Sequence, residues 1–311
     1  MPNLSNDSSL DNIDVIEFFK LLWKRKISII VITSIFAIFS VVYALSLPNK
    51  YESTALLKVT QESQSSAGGL SALASQYGGL ASMAGISMPA ANLDNGVYAI
   101  KYIKSREFAK HLMSFDMVKV NLMAVESYDL SSDKLIYNSE VYNENSNTWV
   151  REPDGIFKSE PTYLEVHETA LKELEVNKDI ETGLITISFE HLSPKFSQEL
   201  VSLVIKEVNN VTRKIKLDET QAALFHLQGQ LASIKDKDLR ASLNMLIKTQ
   251  LNEQMIATVK DNYLLTVIDS PIIPVYKSSP KRARICILIT LIGGLFSIIF
   301  VLVSNNFFRK D

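Results

Sequence analysis

The uncharged stretch Ile27–Leu47, ISIIVITSIFAIFSVVYALSL, decides the fold because its length matches the thickness of a membrane. As a helix it would be roughly 31 Å long, about the thickness of the hydrocarbon core of a bilayer. A second uncharged run, from Ile285 to Phe308, is almost wholly apolar as far as Val303. The sequence therefore predicts two transmembrane helices, one over residues 27–47 and one over residues 285–303.

The first of these runs could instead be a cleaved signal peptide. Ala44 and Ser46 would supply the small residues of a cleavage site. However, the apolar stretch is longer than the apolar region of a typical signal peptide, and an acidic leader, residues 1–26, precedes it. Both features favour a retained transmembrane helix.

Flanking charge predicts the orientation of the two helices. Basic residues crowd the N-terminal side of the first helix, at Lys20 and Lys24–Lys26, which favours a cytoplasmic segment over residues 1–26. Two spans would return the tail, residues 304–311, to the cytoplasm. Residues 48–284 would then be external, in the periplasm of a cell that has an outer membrane. The basic cluster Lys281–Arg284 lies on the external side and departs locally from the positive-inside pattern.

Charge and cysteine content narrow the class of protein further. The chain has 311 residues and a formal net charge of −2, with 32 Lys and Arg against 34 Asp and Glu. Nucleic-acid-binding proteins usually carry a strongly basic face, so no nucleic-acid partner is expected. The single cysteine, Cys286, lies just inside the second predicted span and allows no disulfide within one chain.

The external segment begins and ends with predicted strands. Strand-forming residues over 50–60, 183–190 and 264–269 predict three strands, of which the last rejoins a base sheet near the membrane. Helical spacing over 97–113 and 161–174 predicts two shorter helices. Polar residues over 128–155 predict a surface excursion.

A long apolar stripe predicts a helical hairpin. Ser193 as N-cap and Pro194 at the first helical position mark its start. Apolar residues at three- and four-residue steps continue to about residue 259, interrupted by the charged turn Lys235–Asp238. The pattern predicts two long antiparallel helices over about 194–259 that project from a compact base.

Ser63–Asn92 is dominated by Ser, Ala and Gly and contains a near-repeat. One interpretation is a flexible linker. The other is a loop of weak helical character that packs on a neighbour or lines an assembly, because leucine and methionine residues recur along it. The sequence leaves both interpretations open.

Nothing in the sequence predicts catalysis. The four histidines have no metal-ligand spacing and are expected to be structural or surface side chains; they are His111, His167, His191 and His226. No phosphate-binding glycine loop and no nucleophile elbow occur. We therefore predict a non-enzymatic protein without a catalytic site, bound metal or cofactor.

Small residues predict how the two membrane helices pair. They share one face of each helix: Thr33, Ala37, Ser40 and Ala44 in the first, and Thr290, Gly293, Gly294 and Ser297 in the second. In lipid, van der Waals packing drives helix association, and small residues allow close approach. We predict that these two faces pack directly, although such residues are also common in spans by chance.

Two stretches carry a family resemblance, Ile13–Lys26 (IDVIEFFKLLWKRK) and Thr182–His191 (TGLITISFEH). The first is similar to the lead-in to the first span, and the second to part of the external domain, of the Wzz chain-length determinant family, the polysaccharide co-polymerases. The resemblance extends along nearly the whole chain. The most specific likeness is the proline-rich approach to the second span. It consists of Pro271, Pro274, Pro280, Lys281 and Arg282. Physically, these prolines stiffen the segment, and the basic pair suits lipid headgroups or an anionic partner.

The resemblance implies an α+β fold with two transmembrane helices that flank an external α/β base domain carrying a long protruding helical hairpin. It also implies a homo-oligomer, as a closed ring in the inner membrane, that works with a Wzy-type polymerase on lipid-linked glycan. Such a protein regulates the length of an O-antigen-like surface polysaccharide without forming glycosidic bonds. About eight residues follow the second span, so the tyrosine kinase of related two-domain members is not expected.

Three other functions stay open at this point. A periplasmic adaptor of an export machine also has a helical hairpin, but usually one span and more strands. A glycosyl polymerase would need an acidic site that the charge-free spans do not offer. A membrane subunit that activates a separate kinase is the alternative within the family.

Overall fold

The computed structural model describes residues 23–60, 95–115, 117–155 and 157–307. The segment 63–92 and most of the lead-in 13–26 lie outside the described residues. The chain divides into two compact units. One contains the two terminal regions, up to Asn49 and from Ser278, and the other is Lys50–Lys277.

Helices and strands alternate irregularly along the chain, as in an α+β protein. The helices are α1 Lys26–Ser46, α2 Asn95–Ile103, α3 Arg106–Leu112, α4 Val118–Met123, α5 Tyr163–Glu173, α6 Pro194–Ser233, α7 Lys237–Val259 and α8 Arg282–Phe307. The strands are β1 Tyr51–Val59, β2 Val125–Asp129, β3 Lys134–Tyr137, β4 Tyr142–Asn143, β5 Thr148–Trp149, β6 Leu174–Lys178, β7 Ile185–His191 and β8 Leu265–Asp269.

The first unit is a pair of apolar helices, α1 and α8. Both are long and apolar enough to cross a bilayer. Their outward-facing residues include large apolar side chains that remain exposed, such as Ile38, Phe39 and Leu295. A water-soluble protein rarely exposes so continuous an apolar surface. The predicted fold class, a mixed α and β chain with a candidate transmembrane helix near each end, is confirmed.

The second unit is built on a four-stranded sheet in the order β6-β7-β1-β8. Every neighbouring pair is antiparallel, with Tyr51 opposite His191 and Val59 opposite Leu265. The strand that follows α1 in the chain is therefore hydrogen-bonded to the strand that precedes α8. The prediction that the last strand rejoins the base sheet is confirmed.

Alternating side chains of the sheet and one face of α6 form the core. Leu57, Ile187 and Phe189 from the sheet and Val204 and Val208 from α6 are fully buried. Helices α2 and α3 add further apolar side chains to the same core. The N-terminal part of α6 is thus held by the sheet through hydrophobic burial.

Local signals fix the bounds of the long hairpin. The Ser193 hydroxyl accepts a hydrogen bond from the Phe196 N–H at 3.2 Å, and Pro194 occupies the first turn, as predicted. The carboxylate of Asp236 caps α7 by accepting from the N–H groups of Asp238 and Leu239, both at 2.9 Å. The turn is therefore Ile234–Asp236, slightly earlier than predicted, because this cap lets α7 begin at Lys237.

Two other regions differ from the sequence-based expectation. The single helix predicted over 97–113 is two helices, because Ser105 caps α3 by accepting from the Phe108 N–H. The polar excursion over 128–155 contains the small hairpin β4–β5 and the end of another, β2–β3, which begins at Val125. Asp133 and Asn147 adopt left-handed backbone conformations in these turns, which Asp and Asn tolerate better than most residues.

Candidate functional site: the paired apolar helices, the proline-rich segment and the hairpin

The structure brings the two small-residue faces of α1 and α8 together. Ser40, Ala44, Gly293 and Ser297 are buried, although most of both helices is exposed. The remaining predicted members are half-buried; they are Thr33, Ala37, Thr290 and Gly294. The hydroxyl oxygens of Thr33 and Ser297 are 3.4 Å apart across the interface. These side chains therefore lie in the contact between the helices, as expected where packing drives association.

The hydroxyl groups in this interface also bond within their own helices. Thr33 donates to the carbonyl oxygen of Ile29 at 2.8 Å, Ser40 to that of Ala37 at 2.7 Å, and Ser297 to that of Gly294 at 2.7 Å. A polar group without a partner would be costly in hydrocarbon. These bonds allow hydroxyl side chains to line the interface as small residues.

Gly293 and Gly294 differ sharply in their surroundings. A Cβ atom added at Gly293 would lie 2.5 Å from Cγ and 3.0 Å from Cδ1 of Phe36, and it would also collide with the Phe36 Cβ. A Cβ atom added at Gly294 would have no neighbour within 4 Å. The Phe36 ring also contacts the ring of Phe296, with centroids 6.0 Å apart. The sequence pattern placed both glycines in the interface but did not indicate Phe36. Because Phe36 lies against Gly293 alone, only position 293 has no room for a side chain.

At the start of α8, the Arg282 side chain links the two apolar helices. Its Nη2 donates to the carbonyl oxygen of Leu47 at 3.2 Å and to Oδ1 of Asn49 at 3.1 Å. Leu47 is the C-cap of α1, so the guanidinium satisfies one of the carbonyls left unpaired at a helix end. Lys281 is exposed beside it. Of the predicted basic pair, Arg282 therefore has a definite structural role.

The other members of the proline-rich segment follow β8. Pro271 and Pro274 are half-buried, and between them the carbonyl oxygen of Ile272 accepts a hydrogen bond from Ser53 at 2.8 Å. Pro280 lies within the first unit, two residues before α8. Because prolines lack an N–H, they end the hydrogen-bonding of the strand, as the sequence suggested.

The hairpin of α6 and α7 is tied together by charge pairs at its base. Lys216 contacts the buried carboxylate of Glu253 at 2.7 Å, and Arg213 contacts Asp261 at 3.2 Å. On the opposite face of α7, Leu251, Met255 and Val259 recur at four-residue steps and are exposed. One apolar stripe of α7 is therefore left without a partner within the part of the chain that the structure describes.

Three of the four histidines take structural positions, whereas His226 is exposed on α6. His111 contacts Glu207 at 2.8 Å, and His167 contacts the carbonyl oxygen of Lys104 at 3.0 Å. His191 is buried, and this burial lowers its pKa to about 4. Its Nδ1 accepts from the Ser193 N–H, so its Nε2 donates to the carbonyl oxygen of Asn121.

Among the described residues, no group of three or more His, Cys, Asp or Glu side chains is arranged to hold a metal ion. The described arrangement therefore consists of packing surfaces, a hydrogen-bonded link from Arg282 to the end of α1 and an exposed apolar stripe.

These features define a class: a protein with two apolar helices long enough to span a membrane, an α/β unit between them in the chain, and a long helical hairpin. Residues 11–114 match the Wzz family model, described as chain length determinant protein. This match confirms the resemblance to the Wzz chain-length determinant family seen in the sequence. Proteins of this family regulate chain length and are not catalysts.

Comparisons of whole chains give more distant likenesses. No curated protein is similar enough in sequence to count as a match. A solved full-length bacterial polysaccharide co-polymerase is 16% identical, with a TM-score of 0.39, over 96% of this chain and 99% of the other. A fragment of WzzB, a polysaccharide co-polymerase from Salmonella Typhimurium, is 14% identical, with a TM-score of 0.33, over 74% of this chain and 100% of the other.

Proposed function

We propose that this protein sets the length of a surface polysaccharide as an inner-membrane co-polymerase, together with a Wzy-type polymerase that joins lipid-linked glycan units. The family match over residues 11–114 carries the proposal. The polysaccharide is an O-antigen-like glycan or a related surface polymer. The protein itself would act through surfaces, by holding the polymerase and the growing chain in a defined assembly.

The proposed topology has α1 and α8 crossing the inner membrane, with both termini in the cytoplasm and residues 48–284 in the periplasm. The basic residues before α1 support this orientation. The small-residue interface between α1 and α8 would hold the spans together.

We further propose a homo-oligomer, closed into a ring, in which neighbouring copies cover the exposed stripe of α7. Leu251, Met255 and Val259 would gain from leaving water on assembly, because apolar burial is the main favourable term in most protein association. We expect the triple change of these residues to Asn to shift the full chain in nanodiscs or detergent towards smaller species, measured by light scattering. The control is Lys248→Asn, an exposed change on the same helix. An unchanged mass of the triple variant would contradict this role for the stripe.

The function itself is tested by the size distribution of the polysaccharide on a gel, with the gene intact, deleted and restored. We expect deletion to abolish the preferred length while polymer persists, because a length regulator is not needed for bond formation. Complete loss of surface polymer would instead indicate an export or kinase-activating role. An unchanged distribution would refute the assignment to polysaccharide length.

A further inference from the structure

The segment that follows the core of β8 exposes large apolar side chains. Ile272 is 71% exposed, Val275 82% and Tyr276 87%. Ile273 is 54% exposed and Ile268 is 50% exposed. Five exposed large apolar residues therefore occur within nine positions. We call these five residues the juxtamembrane patch. Single exposed apolar residues are ordinary, but a concentration of this kind marks an interaction surface.

The patch is held in place by the core of the second unit. Ser53, which is buried in β1, donates a hydrogen bond to the carbonyl oxygen of Ile272 at 2.8 Å. On β8, Val267 packs against the core while Ile268 is exposed. Pro271 and Pro274 further restrict the backbone. The backbone is thus fixed against the sheet while the apolar side chains stay outside the core.

The short connection to α8 limits how far the patch can lie from the start of that helix. Only residues 277–281 separate Tyr276 from Arg282, the first residue of α8. Six residue steps reach at most about 21 Å even when fully extended. If α8 spans the bilayer, the patch is therefore tethered close to the surface where α8 enters.

The composition of this region suits a lipid surface. Tyrosine beside aliphatic side chains is typical of the membrane–water interface, where one end of the ring is apolar and the other is wet. Exposed basic residues follow closely in the chain, at Lys277, Lys281 and Arg284. They would attract anionic headgroups, whereas a second copy of the same segment would bring like charges together.

From this juxtaposition we infer that the juxtamembrane patch inserts into the headgroup–acyl boundary of the bilayer and prefers anionic lipid. The inference rests on the membrane placement in the proposed function but goes beyond it. The periplasmic unit would then be held to the membrane at a third point in addition to its two spans. Interfacial insertion of this kind buries apolar side chains to a depth of about 5–10 Å.

The test uses the full chain in nanodiscs, with Cys286→Ser as background and a single environment-sensitive fluorophore attached through Val275→Cys. The matched control is Ile180→Cys, because Ile180 belongs to the same unit and is 97% exposed in the turn between β6 and β7. We expect blue-shifted emission at 275 and quenching by lipids that carry a nitroxide near the headgroup. The label at 180 should show neither effect. Anionic lipid should increase the difference in emission and quenching between the label at 275 and the label at 180.

Two results would overturn the inference. A label at 275 that behaves like the label at 180 would place the patch in water. A blue-shifted label that lipid nitroxides do not quench would show that protein covers the patch. The polysaccharide gel separates this test from the function: quenching at 275 with an unchanged gel after gene deletion would refute the function and retain the lipid contact.

Discussion

Replacing Gly293 by alanine should separate the two apolar helices, whereas replacing Gly294 should not. The added Cβ at position 293 would lie 2.5 Å from Cγ of Phe36. Carbon atoms in contact are normally about 3.5–4.0 Å apart, so α1 and α8 would have to move apart by about 1 Å. Overpacking of this kind typically costs about 1–3 kcal/mol. That cost corresponds to a roughly 5- to 150-fold shift towards the separated helices.

Disulfide formation within the chain measures this shift. The Cys286 sulfur lies 3.7 Å from the carbonyl oxygen of Ser40, so Ser40→Cys should give a pair that oxidises readily when the helices are closed. We expect Gly293→Ala to slow oxidation in nanodiscs and Gly294→Ala to leave it unchanged. Phe36→Gly should partly restore the rate in the Gly293→Ala background. Phe36→Ala should restore less, because it retains the Cβ that collides.

Equal oxidation rates for Gly293→Ala and Gly294→Ala would refute this reasoning. Such a result would mean that the side chain of Phe36 adapts, or that α1 and α8 do not approach at this point. The same two variants can be examined on the polysaccharide gel. If the helix pair supports the proposed function, only Gly293→Ala should broaden the distribution of chain lengths.

Three further predictions concern polar side chains outside the helix crossing. Asn209 is buried and its Oδ1 accepts from two backbone N–H groups of the segment entering β8, both at 2.8 Å. Asn209→Leu should therefore cost about 2–5 kcal/mol of unfolding free energy, and Asn210→Leu much less; similar losses in thermal unfolding would contradict this. Burial depresses the pKa of His191, so as pH falls from about 6.5 to 4 this side chain becomes protonated in unfolded chains before it does so in folded ones. Stability should drop by about 3 kcal/mol across that window, and His191→Gln should flatten this slope in pH-dependent melts. Arg282→Gln removes the bonds to the end of α1 and should lower thermal stability in detergent, whereas Arg284→Gln on the exposed side should not.

The sequence predicted the features that depend on local pattern. A long run without charged residues is enough to identify α1 and α8, because few structures other than a membrane-spanning helix need about 20 consecutive apolar residues. Ser193 followed by Pro194 predicted the start of α6 to the residue. The strand-forming residues over 183–190 predicted β7, which the structure places at Ile185–His191.

Features that depend on the relative position of two elements could not be predicted in this way. Which residue of α1 lies opposite Gly293 is set by the crossing of the helices, so Phe36 carried no signal in the sequence. β6 was missed because only Leu174 and Val176 alternate into the core, and the helix predicted over 161–174 already included Leu174. By contrast, the Ser105 cap that divides α2 from α3 is a local signal that closer reading could have found.

The continuity of α6 has a mechanical consequence. The first half of this helix belongs to the core, and the second half forms the hairpin without an intervening break up to Ser233. About 20 residues beyond Thr212 make a lever of roughly 30 Å. A tilt of about 5° where the helix leaves the core would move its far end by roughly 3 Å. Force applied near the Ile234–Asp236 turn would accordingly be transmitted as torque to the sheet, and the strands that lead to both apolar helices would receive it.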